Sequence, residues 1–157
     1  NQLGRLLVKN KDRLTNDFIA GTPDVVEKDA ILDIKTSWNI FSFAKADGSN
    51  KDYYWQLQGY MWLTGKKQAN LAYTLVNTPV HLIADEKSRR AYKAGIIDDN
   101  EALAELEAVI DNEMMFDDIP EELRMKLFHF DYNEADIEKL KERIEKARMY
   151  LNQMQGL

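Results

Sequence analysis

Two short apolar runs, Val25-Val26 and Ile31-Leu32, flank the turn Glu27-Lys28-Asp29-Ala30, and this segment constrains the fold more than any other. The runs read as a hairpin, its first strand over Phe18 to Val26 and its second over Ile31 to Thr36. A two-residue loop at Lys28-Asp29 pairs Glu27 with Ala30, and counting outward sets Asp24 opposite Asp33. Directly opposed side chains share a face, with Cβ atoms roughly 4.5–5.5 Å apart. Two carboxylates that close can grip one divalent cation. Lys35 lies two residues beyond Asp33, so the period of two puts it on the same face. Val25, Leu32 and Ile34 are expected on the other face, in a core. Two acids and a lysine gathered on one sheet face suit phosphodiester cleavage.

These residues resemble the PD-(D/E)xK nuclease superfamily. Pro23-Asp24 matches its PD element and Asp33-Ile34-Lys35 its (D/E)xK element. Gln56-Leu57-Gln58-Gly59-Tyr60 fits the Q-x-x-x-Y motif of the RecB-like and phage-exonuclease-like branch, on a helix after the lysine-bearing strand. The resemblance covers roughly Phe18 to Val76. It implies a restriction-endonuclease-like α/β (α+β) fold, a mixed central sheet flanked by helices, with a helical C-terminal part. It implies a hydrolase: a metal-dependent DNA nuclease, more an exonuclease of phage or DNA recombination and repair type than an endonuclease. It implies Asp24, Asp33 and Lys35 as catalytic residues, with Mg²⁺ or Mn²⁺ held by Asp24, Asp33 and the backbone carbonyl of Ile34. Mg²⁺ suits such a set, since it takes one or two carboxylates and keeps several waters. Lys35 would orient or deprotonate the attacking water, or stabilise charge on the phosphorane. Gln56 and Tyr60 would approach the DNA strand.

The resemblance also implies an acid or histidine on a helix before Asp24. Upstream acids are Asp12 and Asp17, neither in a convincing helix, and the chain begins with Asn1. Three explanations stay open: an absent N-terminal helical segment, a site working with fewer ligands, or a nuclease-like domain without catalysis that binds DNA or a protein partner. A resolvase or restriction-type endonuclease, acting as a dimer, is a further alternative. A homo-oligomer or a recombination partner protein is compatible with the nuclease reading.

At 157 residues, one domain spanning 1–157 is the simplest expectation. The absence of cysteine excludes a disulfide framework, a thiolate zinc site and an iron–sulfur cluster. No run has the length of a membrane span and no signal-peptide pattern opens the chain, so a cytoplasmic location is expected. The net charge of −6 is unusual for a protein that binds DNA, but it is local. Asp98 to Glu122 holds 11 acids and no Lys or Arg, leaving 21 basic and 16 acidic residues elsewhere. That segment reads as a solvated helix face, with a partner-docking surface or a gate as alternatives.

Residues 1–15 are ambiguous, and Ser37 to Asn50 reads as a loop carrying Trp38, Phe41 and Phe43. Asp52 to Thr64 reads as a helix stopped by Gly65, with Gln56 and Tyr60 stacked on one face. Asn70 to Val76 reads as a strand. Thr78-Pro79 then reads as an N-cap and first-turn proline for a helix through about Lys93. Asn100 to Met115 should be an amphipathic helix with Leu103, Leu106 and Ile110 on one stripe. Met125 to Tyr132 alternates as a half-buried strand does. Asn133 caps the last helix, where Ile137, Leu140, Ile144, Ala147, Leu151 and Met154 share a stripe.

Thr36 and Ser37 could donate to a phosphate and Trp38 could stack on a base, so they join Gln56 and Tyr60 as DNA-binding candidates. A strand-end cap and core packing are the plain alternatives. Tyr60 could itself be core, beside Leu57 and Met61. His81 and His129 read as structural. Lys87, Arg89, Arg90 and Lys93 form a basic cluster that could track a DNA backbone or be a solvated helix end.

Overall fold

The structure, a computed structural model, describes residues 6–96 and 99–155. A mixed sheet of four strands has the order β3-β4-β5-β6, namely Val25–Val26, Ala30–Ser37, Gln68–Leu75 and Met125–Asp131. The β3/β4 hairpin has the register expected from its turn, with Val25 opposite Leu32 and Val26 opposite Ile31. The Glu27 amide donates to the Ala30 carbonyl, closing the two-residue loop. β4 and β5 are parallel, and β6 runs antiparallel to β5. A parallel pair needs a long crossover. Here it contains α1 (Ile40–Lys45) and α2 (Lys51–Thr64).

α2 starts at Asn50, whose side chain accepts from the Asp52 and Tyr53 amides, and stops at left-handed Gly65. It packs Leu57 and Met61 on Ile31, Ala69 and Leu71, with Phe128 and Phe130 alongside. The opposite face of the sheet carries Val25, Leu32 and Ala72, with Leu7 and Met125 against them. Ile34 departs from expectation there. It stands at 37% exposure instead of in a core, because the cover on that face closes over Leu32 and Ala72 but leaves Ile34 and Leu127 open on either side of Ala72.

The expected strand from Phe18 to Val26 is divided. Leu14–Thr15 (β1) pairs with Ala20–Gly21 (β2) in a separate small hairpin. Its turn forms because the Asn16 side chain accepts from the Phe18 and Ile19 amides. The expected loop from Ser37 to Asn50 contains α1. Asn39 caps it by accepting from the Ser42 amide, and Phe43 is buried with Leu75 and Phe116. Thr78 is not a helix cap: its buried hydroxyl donates to the Trp38 carbonyl, and Pro79 takes the cap position of α3 (Val80–Ala94).

α4 (Asn100–Met114) pairs with α3 and meets it charge to charge. Lys87 bridges to Asp111 and Glu107, and Arg90 to Glu113 and Glu86. Two of the four basic residues, Lys87 and Arg90, are thus taken up by Glu107, Asp111 and Glu113 of the acidic segment, and Arg89 pairs with Glu86 on α3 itself. α5 (Glu134–Gln155) is capped by Asn133, which accepts from the Asp136 amide. Its apolar stripe is only partly used. Ile137 is buried, whereas Ala147, Leu151 and Met154 are exposed beyond the body of the protein. No helix among the described residues is long and apolar enough to cross a membrane.

Candidate active site

Asp24 sits where the β3/β4 ladder ends. Pro23 has no N–H, so the next rung cannot close on both sides. The Ile34 amide instead donates to Asp24 Oδ2 at 2.9 Å. Asn10 fixes the approach from outside, its amide donating to the Asp24 carbonyl and its side chain to that of Pro23. Asp24 is thereby locked beside β4, on the side where Asp33 lies.

Asp33 is 2% exposed in the middle of β4, and Lys35 Nζ stands 2.6 Å from its Oδ2. That contact is an ion pair, and apart from it Asp33 Oδ2 is a buried oxygen without a hydrogen-bond partner. Burial pushes the Asp33 carboxyl above its ordinary pKa; the Lys35 ammonium opposes this, and the nearby Asp24 carboxylate reinforces it. Lys35 Nζ also donates to Gln56 Oε1 at 3.0 Å and lies 5.1 Å from the centre of the Tyr53 ring. Gln56 Nε2 in turn donates to the Tyr60 hydroxyl oxygen at 2.9 Å. One continuous polar chain thus runs Asp33–Lys35–Gln56–Tyr60, from strand to helix.

The sequence matches no protein-family model and no curated protein. Among solved structures it is similar to a phage-related exonuclease from Haemophilus somnus 129PT, with 29% identity and a TM-score of 0.74. The likeness covers 98% of this chain and 63% of that one. The chain has a nuclease-like fold.

Within this nuclease-like fold the candidate residues divide. Asp24, Asp33, Lys35, Gln56 and Tyr60 converge. Thr36 does not, since the strand alternation turns it to the opposite face, across from Thr74. The Ser37 hydroxyl closes a local turn, donating to the Asn39 carbonyl and accepting from the Asn39 amide. Trp38 is exposed just past the end of β4. Phe43, one of the three aromatics in that stretch, is core and stacks on Tyr73.

The donors suit a hard divalent cation. Asp33 and Asp24 put two carboxylates side by side with one lysine between them and the helix, a set that leaves negative charge for a cation to neutralise. The set is small, however. Among the described residues no three His, Cys, Asp or Glu side chains are grouped closely enough to hold a metal. Asp12 and Asp17 are both exposed and outside any helix.

Sequence reasoning missed Tyr53, although it is three residues before Gln56 and so shares its helix face. It also missed that Gln56 and Gln58 differ in kind. Gln58 is fully buried, donating to the Asp131 carbonyl and accepting from the Asn133 amide. Tyr60 is half-buried against the small hairpin, where a Cβ on Gly21 would come within 2.7 Å of its Cε1.

Proposed function

We propose that this chain is a metal-dependent deoxyribonuclease of PD-(D/E)xK type, acting as an exonuclease on DNA. The observation that carries the reading is the buried Asp33 carboxylate, set beside Asp24 and ion-paired to a lysine that Gln56 also holds. The similarity to a phage-related exonuclease supports it and favours the exonuclease form. Asp24, Asp33 and the Ile34 carbonyl would hold Mg²⁺ or Mn²⁺. Such an ion activates water and stabilises charge on a phosphate undergoing in-line displacement.

The protein's own groups do the rest. A lysine ammonium has three N–H donors. Gln56 accepts one N–H of Lys35 Nζ and Asp33 stands against it as an ion pair, which leaves an N–H for a phosphate oxygen or the attacking water. A donor fixed in place before reaction stabilises developing negative charge without reorganising. Gln56 keeps Lys35 from swinging away. Because the Tyr60 oxygen accepts from Gln56, its O–H is free to donate to a phosphate oxygen of the strand. Trp38 can stack on a base beyond the end of β4.

The small donor set supports a second reading, a nuclease-like domain that binds DNA without cleaving it. Incubation with linear and circular DNA in Mg²⁺ or Mn²⁺ separates the two. The nuclease reading expects linear DNA to be degraded, with cleavage abolished by chelator and by Asp33→Asn. Binding without cleavage under every metal condition selects the second reading.

A further inference from the structure

A groove leads away from the Lys35 centre. Its floor is α2, where Gln56 and Tyr60 adjoin Gly59, and its walls are Ala20-Gly21 of the small hairpin and Leu140 of α5. This part encloses about 300 Å³. It continues into a second hollow of about 390 Å³ between Trp55, Lys139, Leu140 and Arg143. Trp55 and Leu140 line both, so the two hollows adjoin across this pair. We propose that this groove carries one unpaired strand of DNA to or from the reaction centre, with Trp55 stacking on a base and Arg143 meeting a phosphate. The inference rests on the nuclease reading and names the path of its substrate.

Three observations support this occupant. First, the groove is continuous with the polar chain, since Gln56 lines it and also holds Lys35. Second, Trp55 is a fixed aromatic surface. It is 37% exposed and meets the Tyr54 ring edge-on at 5.5 Å, and Tyr54 is tied to Asp136 by a 2.6 Å hydrogen bond. An indole held in this way stacks on any base, but only on one outside a duplex. Third, the charge is right. No Asp or Glu lines either hollow. Lys139 and Lys141 are paired along α5 with Asp136 and Glu138, whereas Arg143 has no ion pair among the described residues.

The cavity beside Trp38 and Phe41 has the aromatics without the charge. Glu86 and Glu113 line it, and both hold its arginine, Arg90. Glycines keep the chosen groove open and close to the site. Gly59 leaves the floor without a side chain, and Gly21 lets the hairpin lie against Tyr60.

The test is fluorescence anisotropy of the whole protein with an internally labelled octathymidylate, in excess chelator so that cleavage cannot run. A blunt duplex serves as the control. Trp55→Ala should weaken single-strand binding roughly tenfold or more, and Trp55→Phe should restore most of it. Arg143→Ala should lower the slope of log affinity against log salt by about 0.7, the value for one phosphate contact on a single strand. Duplex affinity should stay within twofold. Single-strand affinity unchanged in Trp55→Ala would overturn the inference, as would equal losses on both substrates or no single-strand binding by the wild type. Because Mg²⁺-dependent cleavage is scored separately, the groove and the nuclease reading can fail independently.

Discussion

Two glutamines lie two residues apart on α2, and the same substitution in each should give opposite results. Gln58 is fully buried, and its amide joins α2 to the β6–α5 junction through the Asp131 carbonyl at 2.8 Å and the Asn133 amide at 2.9 Å. Methionine has similar length and volume, so Gln58→Met changes packing little. It leaves both main-chain groups without partners. An orphaned buried polar group costs ~1–3 kcal/mol, so the middle of that range for both gives about 4 kcal/mol. For a chain of this size that is a fall in Tm of about 8–16 °C. Asn133 is also the cap of α5, so part of the loss should appear as fraying of that helix. Gln56 instead bonds Lys35 and Tyr60 at a half-buried surface. Gln56→Met should barely move Tm, yet lower kcat by up to ~10²-fold, the order expected when a reacting group shifts by about 1 Å. Calorimetry and a DNA degradation assay on both variants provide the check. A Tm change under about 2 °C in Gln58→Met would refute the accounting.

Lys35→Met keeps the aliphatic stem and removes the donor; kcat should drop ~10²–10³-fold with DNA affinity little changed, and steady-state kinetics against binding separates the two effects. Gly21→Ala meets no backbone barrier, since its φ is not positive, but its Cβ would come within 2.7 Å of Tyr60 Cε1. Urea titration should show a loss of ~1–3 kcal/mol, accompanied by reduced cleavage as the ring shifts. Glu86, held at a pKa of about 2 by Arg89 and Arg90, binds α3 to itself and to α4 through Arg90. Its pKa is lowered on folding, so its stabilisation is complete above the usual 4.5 and fades as pH falls toward 2. The Tm of Glu86→Gln should lie below wild type at pH 6 and approach it at pH 3; equal values at pH 6 would refute this.

The parts of the fold legible in sequence are those fixed by local rules. A two-residue loop leaves one register, so Val25 opposite Leu32 could be counted. Asn133 and Gly65 mark helix ends because their side chain, or its absence, meets the backbone directly. Features decided at a distance were not legible. α1 is short and survives because Phe43 finds Tyr73 and Leu75 on a strand some thirty residues later. Thr78 looked like a cap because nothing nearby shows that Trp38 claims its hydroxyl. Ile34 alternates like a core residue, but whether a face is covered depends on other segments. The basic face of α3 looked free until α4 folded onto it. Within the site, spacing places Asp24, Asp33 and Lys35 together, but not the hydrogen bond from Lys35 Nζ to Gln56 Oε1 that joins the two motifs.

The outer wall of the groove is fastened by the small hairpin and α5. Phe18, in the turn of the small hairpin, lies 5.5 Å from Trp62, and the Arg148 guanidinium stands over the Phe18 ring at 5.6 Å, while Arg148 also donates to the Asp17 carbonyl. Residues 17 and 148 are 131 positions apart, so this clasp closes a long loop at a large entropy cost. The hairpin itself offers two strands of two residues each. In native-state hydrogen exchange its amides belong with the first to open, while those of β4 and β5 persist to the global transition. On the proposed path, the wall would open without disturbing β4, on which Asp33 and Lys35 stand.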